Sequence, residues 1–370
     1  MIFGCVDRLY FDIDSPGRYG IAISGHVTNT DGPHRVSIFR NFDVESKDSL
    51  KTGVSALHVT ISDAEGNSVE LSQVKSGIYE THPGELAGKA GGIYQVSVEL
   101  DDGRAYESVP DTLPAGGVID SAYYKFVGRP VVGGYVYDYE IRANSSTDAD
   151  VRKTWFVWAN KTTYKSTTKP ELEYVYNPPC YRQDDNPGRC NFVAPCSGFK
   201  NVGTNYEILL EYEGPCECCT CWYDQYSNSI VLSDIYSSTG GRFSDILVDR
   251  VQQTGWNMMY KMRFEVSLQS MTLQAYRFWK AVRDQRSATT NIFQPITGKI
   301  PGNIIQTKGV DSPAEGIFYA TSLDKKVFYV SRGDTPVDLI PTTDYKQAGW
   351  FPCPRLAPNA TTTKPDFWID

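Results

Sequence analysis

Histidine is scarce in this chain of 370 residues and absent from most of it. None of the histidines belongs to an H-E-x-x-H or H-x-E motif. They are His26, His34, His58 and His82. A Ser-His-Asp or Cys-His mechanism confined to the residues after position 82 is therefore excluded. The sequence also contains no P-loop and no G-x-G-x-x-G motif, so we expect neither an enzyme nor a bound cofactor.

Long apolar runs and an excess of positive charge are also missing. No apolar stretch approaches the about 20 residues that a membrane-spanning helix requires. The formal net charge is −8, which argues against non-specific binding to nucleic acid and against adsorption to an anionic membrane. We therefore expect no nucleic-acid partner, and a contact with a membrane only through a covalently attached lipid.

The residues that are present favour a mainly β fold. Apolar and polar residues alternate in segments such as 57–62 and 92–100, and the D-D-G sequence at 101–103 predicts a hairpin turn. Short strands that recur at intervals of roughly 8–12 residues are typical of β-sandwiches. We predict an immunoglobulin- or transthyretin-like sandwich over residues 18–115.

A second β-rich domain is predicted over residues 116–370. Prolines and paired glycines at 110–117 indicate a linker between the two domains. Alternating strand patterns continue after this linker, but a cysteine-rich, Pro/Gly-rich insertion interrupts them at 178–223.

One amphipathic helix is predicted in the second domain, over residues 270–285. Leu273, Tyr276 and Trp279 recur there at helical spacing, with charged residues between them. We expect these three side chains to be buried against the second domain, because a sheet face needs a cover.

The first five residues, M-I-F-G-C, resemble the end of a bacterial lipoprotein signal peptide. Ile2, Gly4 and Cys5 match the aliphatic residue, the small residue and the acylated cysteine of such a site. A signal peptide needs an apolar run of about 7–15 residues, so we expect the reading frame to begin upstream. Residues 1–17 are then a signal remnant and tether, with diacylglycerol and palmitate on Cys5. The alternative is an ordinary apolar N-terminus with a buried cysteine.

Eight cysteines remain once Cys5 is assigned to the lipid. They are Cys180, Cys190, Cys196, Cys216, Cys218, Cys219, Cys221 and Cys353. In an oxidising compartment an even number favours disulfides, here four, with their connectivity open. The alternative is a metal site within 216–221, but zinc sites use cysteine pairs joined by a longer spacer. We therefore expect no bound metal.

Several motifs resemble one known family over nearly the whole chain. They are G-I-Y-Q-V-S-V-E-L-D-D-G-R-A-Y-E-S at 92–108, V-I-D-S-A-Y-Y at 118–124, F-W-K-A-V-R-D-Q at 278–285, N-I-F-Q-P-I-T-G-K-I-P-G-N-I at 291–304 and K-P-D-F-W at 364–368. The family they resemble is catalogued as domain of unknown function 4249. The resemblance implies an outer-membrane lipoprotein of Bacteroidota, of a kind often encoded beside TonB-dependent transporters.

Two functions are compatible with these expectations. The first is an accessory subunit that docks on a TonB-dependent, SusC-like transporter at the outer membrane, with other lipoproteins as further partners, and serves nutrient uptake. The second is a free-standing surface lipoprotein that binds glycan or peptide through aromatic residues. The candidate aromatics are Trp155, Trp158, Tyr174 and Tyr176. In both cases we expect a lipid-anchored, cell-surface-exposed protein.

Overall fold

The structure of the chain is a computed structural model. It describes residues 20–40, 52–172, 193–203, 209–234, 238–254, 260–288, 300–310, 312, 314–335 and 349–369. Strands dominate these residues, and they contain a single α-helix. The prediction of a mainly β chain is confirmed.

The strands of the first 150 residues are β1 (Ile21–Thr28), β2 (Arg35–Arg40), β3 (Ala56–Asp63), β4 (Ser68–Glu70), β5 (Ser72–Lys75), β6 (Ile78–Glu80), β7 (Ile93–Leu100), β8 (Ala105–Ser108), β9 (Asp111–Thr112), β10 (Val118–Val131) and β11 (Gly134–Ser146). The later strands are β12 (Trp155–Thr167), β13 (Phe199–Asn201), β14 (Leu210–Tyr212), β15 (Thr220–Tyr226), β16 (Val231–Leu232), β17 (Arg242–Gln252), β18 (Lys261–Met271), β19 (Ile304–Lys308), β20 (Ala314–Glu315) and β21 (Phe318–Ser331). The helix α1 is Leu273–Ala288, and short 3-10 helices are Pro170–Leu172, Pro195–Ser197, Arg332–Asp334 and Cys353–Leu356.

The chain divides into two compact units that interleave along the sequence. The first unit takes its residues from 1–116, 153–155 and 270–323, and the second unit from 117–152, 156–269 and 324–370. Residues 270–323, predicted to belong to the second domain, group with the first unit in the structure. The reason is strand pairing, because β19 pairs with β8 and both β20 and β21 pair with β1.

The first unit is a sandwich of two sheets that share one hydrophobic core. In one sheet the order is β21–β1–β2–β6–β5, with β20 also beside β1, and in the other it is β19–β8–β7–β3–β4, with β9 on β7. Alternation in β7 buries every second residue. The core residues from the two sheets include Ile21, Ile23, Val36, Ile38, Val59, Ile61, Val96, Val98, Tyr106 and Phe318. Residues 18–115 therefore form most of the sandwich, and strands from the last quarter of the chain complete it.

The helix α1 also belongs to the first unit, and its buried face differs from the predicted one. Leu273, Tyr276 and Trp279 are only half-buried, while Ala275 is fully buried. The expectation that the three large side chains are buried against the second domain is therefore wrong. The fully buried position of the helix is thus taken by a small residue, and the Trp279 and Tyr319 rings form a T-shaped pair at 6.3 Å between centroids.

A buried carboxylate ties three elements of the first unit together. Asp111 accepts a hydrogen bond from Thr272 Oγ1 at 2.8 Å and another from the backbone N–H of Ala320 at 3.0 Å. The Thr272 hydroxyl in turn caps the helix by accepting from the N–H of Ala275 at 3.5 Å. Burial raises the pKa of Asp111, and both donors act in the opposite direction. One side chain thus links β9, β21 and the start of α1.

A histidine of β1 lies on the face of its sheet that points away from the sandwich core. His26 stands opposite Tyr319 in the parallel β1–β21 pair, and the two rings stack at 5.4 Å between centroids. Burial lowers the pKa of His26 to about 4, with nearby His34 and Arg35 adding to the shift. The imidazole is therefore neutral at physiological pH. His34 is also a structural residue, since its ring nitrogens contact the Thr28 N–H and the Leu86 carbonyl.

We expect acid to destabilise the first unit through His26. Its pKa in the folded state lies below the value of 6.5 for an unperturbed histidine, so the unfolded chain binds more protons and stability falls as the pH drops from 6.5 toward 4. His26→Phe keeps an aromatic ring against Tyr319 and should recover about 1–2 kcal/mol of the unfolding free energy lost between about pH 7 and pH 5. Urea unfolding at both pH values measures this. His82→Gln, at an exposed ring, is the control, and an unchanged pH dependence in His26→Phe would contradict the assignment.

The second unit is also built from two sheets around one core. Antiparallel β10, β11 and β17 form a three-stranded sheet, and the other sheet places β15, β12 and β18 side by side, followed by the end of β21. The core residues from both sheets include Ile119, Tyr139, Ile141, Phe156, Trp158, Phe243, Val248, Phe264, Val266 and Val330. Nowhere in the described part of the chain is there a helix long and apolar enough to cross a membrane.

The C-terminal segment packs against β15, β18 and β21 within the second unit. Thr361 forms an isolated bridge with Trp222 of β15, and Trp368 is buried. The Arg263 guanidinium lies 4.3 Å from the centroid of the Phe367 ring, a cation–π contact. The terminal aromatic pair is therefore a packing anchor.

Candidate functional site

Disulfide bonds hold the cysteine-rich part of the second unit. Cys5, Cys180 and Cys190 lie outside the described residues. The observed bridges are Cys196–Cys218, Cys216–Cys219 and Cys221–Cys353. Every cysteine within 216–221 is thus bonded to another cysteine and cannot serve as the thiolate that zinc requires. Among the residues that the structure describes, no group of His, Cys, Asp or Glu is arranged to hold a metal ion.

These bridges differ in the length of chain that they close. Cys221 and Cys353 are fully buried and join residues 132 positions apart. Cys216 and Cys219 are half-buried and close a loop of only 3 positions. In the loop-entropy account a disulfide stabilises by restricting the unfolded chain, so the longer loop should contribute more.

We therefore expect the two bridges to contribute unequally to stability. The double variant Cys221→Ser/Cys353→Ser should lower the unfolding free energy by about 5 kcal/mol, and Cys216→Ser/Cys219→Ser by about 1.5 kcal/mol. The second variant is the matched control for the first, because each removes two sulfurs. Denaturant unfolding without reductant measures both, and equal losses would contradict the loop-length argument.

The most elaborate polar arrangement of the second unit lies on the three-stranded sheet and centres on Asp245. The Asp245 carboxylate accepts from the Tyr123 hydroxyl at 2.6 Å, and it pairs with Lys125 and Arg142, each at 2.9 Å. Its own backbone N–H donates to Asn144 Oδ1 at 2.8 Å. Side chains from β10 and β11 thus converge on one partly exposed carboxylate of β17.

A second carboxylate extends this network along the sheet. Glu140 on β11 accepts from Arg142 at 2.8 Å and from Arg250 on β17 at 3.0 Å. Arg142 therefore bridges the two acids, because it also donates to the backbone carbonyl of Asp245 at 3.0 Å. We call the set of Tyr123, Lys125, Glu140, Arg142, Asp245 and Arg250 the charged network. It contains three cations and two carboxylates.

The electrostatics of the charged network favour recognition over acid–base chemistry. The hydrogen bond from Tyr123, followed by that from Lys125, lowers the pKa of Asp245 to about 2. Burial and the hydrogen bond to Asp245 raise the pKa of Tyr123. At neutral pH the carboxylate stays ionised and the phenol stays protonated, so neither group exchanges a proton readily. The arrangement instead holds charges of both signs in fixed positions on the sheet.

Asp245 also has an unusual backbone conformation. Its φ is 55°, and among the described residues other than glycine it alone has a positive φ. It lies where the register between β11 and β17 shifts, between the pairs Ala143↔Ile246 and Ser145↔Phe243. A left-handed conformation is uncommon for a residue with a Cβ, although aspartate enters it more readily than most, and here the contacts of the charged network hold it in place. Such residues cluster at binding and catalytic sites.

Comparison with known proteins identifies the family. A profile for the family described as Domain of unknown function (DUF4249) matches residues 7–326. The chain belongs to the DUF4249 family. The resemblance inferred from the sequence motifs is thereby confirmed. No curated protein matches the chain.

The matched range of this DUF4249 chain contains the whole charged network but ends before Cys353. Sequence reasoning did not find the network. Its members are far apart in the sequence, as Tyr123, Arg142 and Asp245 show. No glycine or turn motif at Asp245 predicts the backbone conformation of this residue. A bulge in β17 brings them together, and single-sequence alternation cannot locate a bulge.

Of the four aromatics suggested for glycan binding, the two that the structure describes are engaged in packing contacts. Trp158 is a core residue, 1% exposed, and its indole N–H donates to Ser145 Oγ at 3.0 Å. Trp155 is half-buried and packs against Tyr276 of α1 at 6.0 Å between ring centroids. Tyr174 and Tyr176 lie outside the described residues.

Proposed function

We propose that this DUF4249 member is a non-catalytic outer-membrane lipoprotein that serves as an accessory subunit of a TonB-dependent transporter in nutrient capture or uptake. Cys5 carries the lipid in this proposal. The charged network of the second unit forms part of the surface that meets the transporter.

The disulfides support an exported location. Disulfides persist in oxidising compartments such as the periplasm and the cell surface and are rare in the cytosol. The Cys221–Cys353 bridge is fully buried and Cys353 N–H donates to the Cys218 carbonyl at 2.8 Å, so this bond is integrated into the fold. A lipid anchor would also raise the effective concentration of the protein near a membrane partner, so that a modest interface persists.

The observation that carries the partner-docking role is the left-handed Asp245 within the charged network. Stability alone gives little reason to keep an uncommon backbone conformation on an exposed sheet face, where ion pairs contribute little. A preorganised set of charges, in contrast, fixes the orientation of a protein partner and speeds its association. The described residues offer less for the glycan-binding alternative, because Trp158 is in the core and Trp155 is packed against the helix.

Affinity purification of the native lipoprotein in mild detergent tests this role. The tagged, full-length chain should be isolated from its own cells with the lipid intact and at normal expression. We expect stable recovery of a β-barrel transporter in comparable amount. Recovery of the chain alone would reject the accessory role, and saturable binding of a glycan by that isolated chain would support the free-standing binder.

Asp245→Gly separates binding from stability in the same experiment. Glycine adopts the left-handed conformation without strain, so the unfolding midpoint should stay within about 3 °C of the wild type. Loss of the carboxylate releases Lys125 and Arg142 from their fixed positions, and recovery of the transporter should fall at least about fivefold. Asp102→Gly is the matched control, since Asp102 is an exposed, Arg104-paired turn residue of the first unit. Equal recovery with both variants would remove the charged network from the interface.

A further inference from the structure

The hairpin between β10 and β11 ends in an apolar tip. Residues 130–137 read P-V-V-G-G-Y-V-Y and contain no charge. Val131 pairs with Gly134, which leaves Val132 and Gly133 as a two-residue turn. Val132 is 107% exposed and Tyr135 is 65% exposed. We call residues 130–135 the hairpin tip.

An ion pair lies at the base of the hairpin tip. Arg129 and Asp138 flank the uncharged stretch on the two strands, and they form an ion pair with each other. Asp138 is buried, while the Arg129 side chain is half-exposed. The tip thus extends about 10 Å beyond its last charged pair, given the rise of a β-strand.

The hairpin below the tip is stiffened by aromatic packing. The Phe126 and Tyr137 rings stack at 5.4 Å with an interplanar angle of 6°. Gly128 leaves room for the Tyr137 ring, since a Cβ at position 128 would meet Tyr137 Cε1 at 3.0 Å. The tip is therefore presented on a rigid support, which lowers the entropy lost when a partner binds.

We infer that the hairpin tip inserts into a neutral, apolar pocket of a protein partner. The inference rests on the proposed docking role and adds the contact that anchors it. The tip supplies a protruding apolar plug, with two valines and a tyrosine that a pocket can enclose. The charged network lies on the same three-stranded sheet, so a partner that accepts the tip also meets fixed charges. Apolar anchors surrounded by polar contacts are the usual anatomy of a protein interface.

The charges around the tip favour a protein pocket over a lipid surface. Insertion into an anionic leaflet is assisted by basic side chains near the inserted residues. Here Arg129 is held by Asp138, while Lys125, Arg142 and Arg250 are held by Asp245 and Glu140. The two valines also offer too little apolar area for lasting attachment to a bilayer by themselves. A complementary apolar pocket in a protein does not require unpaired basic side chains around the tip.

Photo-crosslinking in intact cells identifies what surrounds the tip. A diazirine-bearing amino acid replaces Val132 in the full-length chain, and the same amino acid replaces Val74, an exposed valine of the first unit that is 57% accessible. We expect a discrete protein adduct from position 132 and none from position 74. Adducts only to lipid, adducts only to a second copy of this chain, or no adduct would each overturn the inference.

A binding measurement with the purified partner completes the test. Val132→Asp should raise the dissociation constant at least about tenfold, because a charge in an apolar pocket is left without a partner. Val74→Asp should change it less than about twofold. Val132→Ser provides a second, uncharged variant, and circular dichroism verifies that all three fold. Equal affinities for the position 132 variants and the wild type would overturn the inference. A protein partner other than a transporter would retain the tip contact and reject the accessory role.

Discussion

The pairing of β1 with β21 and of β8 with β19 is the constraint on which the first unit depends. Gly25 stands opposite Phe318, and Ile304 opposite Ser108, so both sheets of the sandwich are completed by residues near the end of the family match. Asp111 reinforces this arrangement through Thr272 and Ala320. These pairings join segments that are far apart in the sequence, so the sandwich is complete only when strands from both ends of the matched range come together.

The second unit combines disulfide cross-links with a polar surface in which Asp245 has a left-handed backbone conformation. Its disulfides and the packed C-terminal segment hold parts of the unit that lie outside the two sheets. The three-stranded sheet holds Asp245 in a left-handed conformation and ends in an uncharged hairpin tip. An uncommon backbone conformation tends to lower stability, and an exposed apolar tip tends to lower solubility. Under the proposed function, both belong to one surface that meets the partner.

Local features of the fold could be predicted from the sequence, and non-local ones could not. Alternation and the D-D-G turn were enough for the β7–β8 hairpin, because both strands and their connection are adjacent. The partner of β21 was not predictable, since parallel pairing joins segments through long crossovers. Helical spacing located α1, but which face is buried depends on the sheet below it, and Ala275 rather than Trp279 is fully buried. Cysteine content predicted disulfides without their connectivity, and the conformation of Asp245 has no local sequence signal.

The proposed function makes the three-stranded sheet of the second unit the partner-docking surface. Hydrogen–deuterium exchange of the lipidated chain, alone and in its detergent-solubilised complex, distinguishes this surface from the rest of the protein. We expect slower exchange on complex formation in peptides that cover residues 123–137 and 242–250, with little change in the first unit. Protection confined to the first unit, or no change in these peptides, would contradict it.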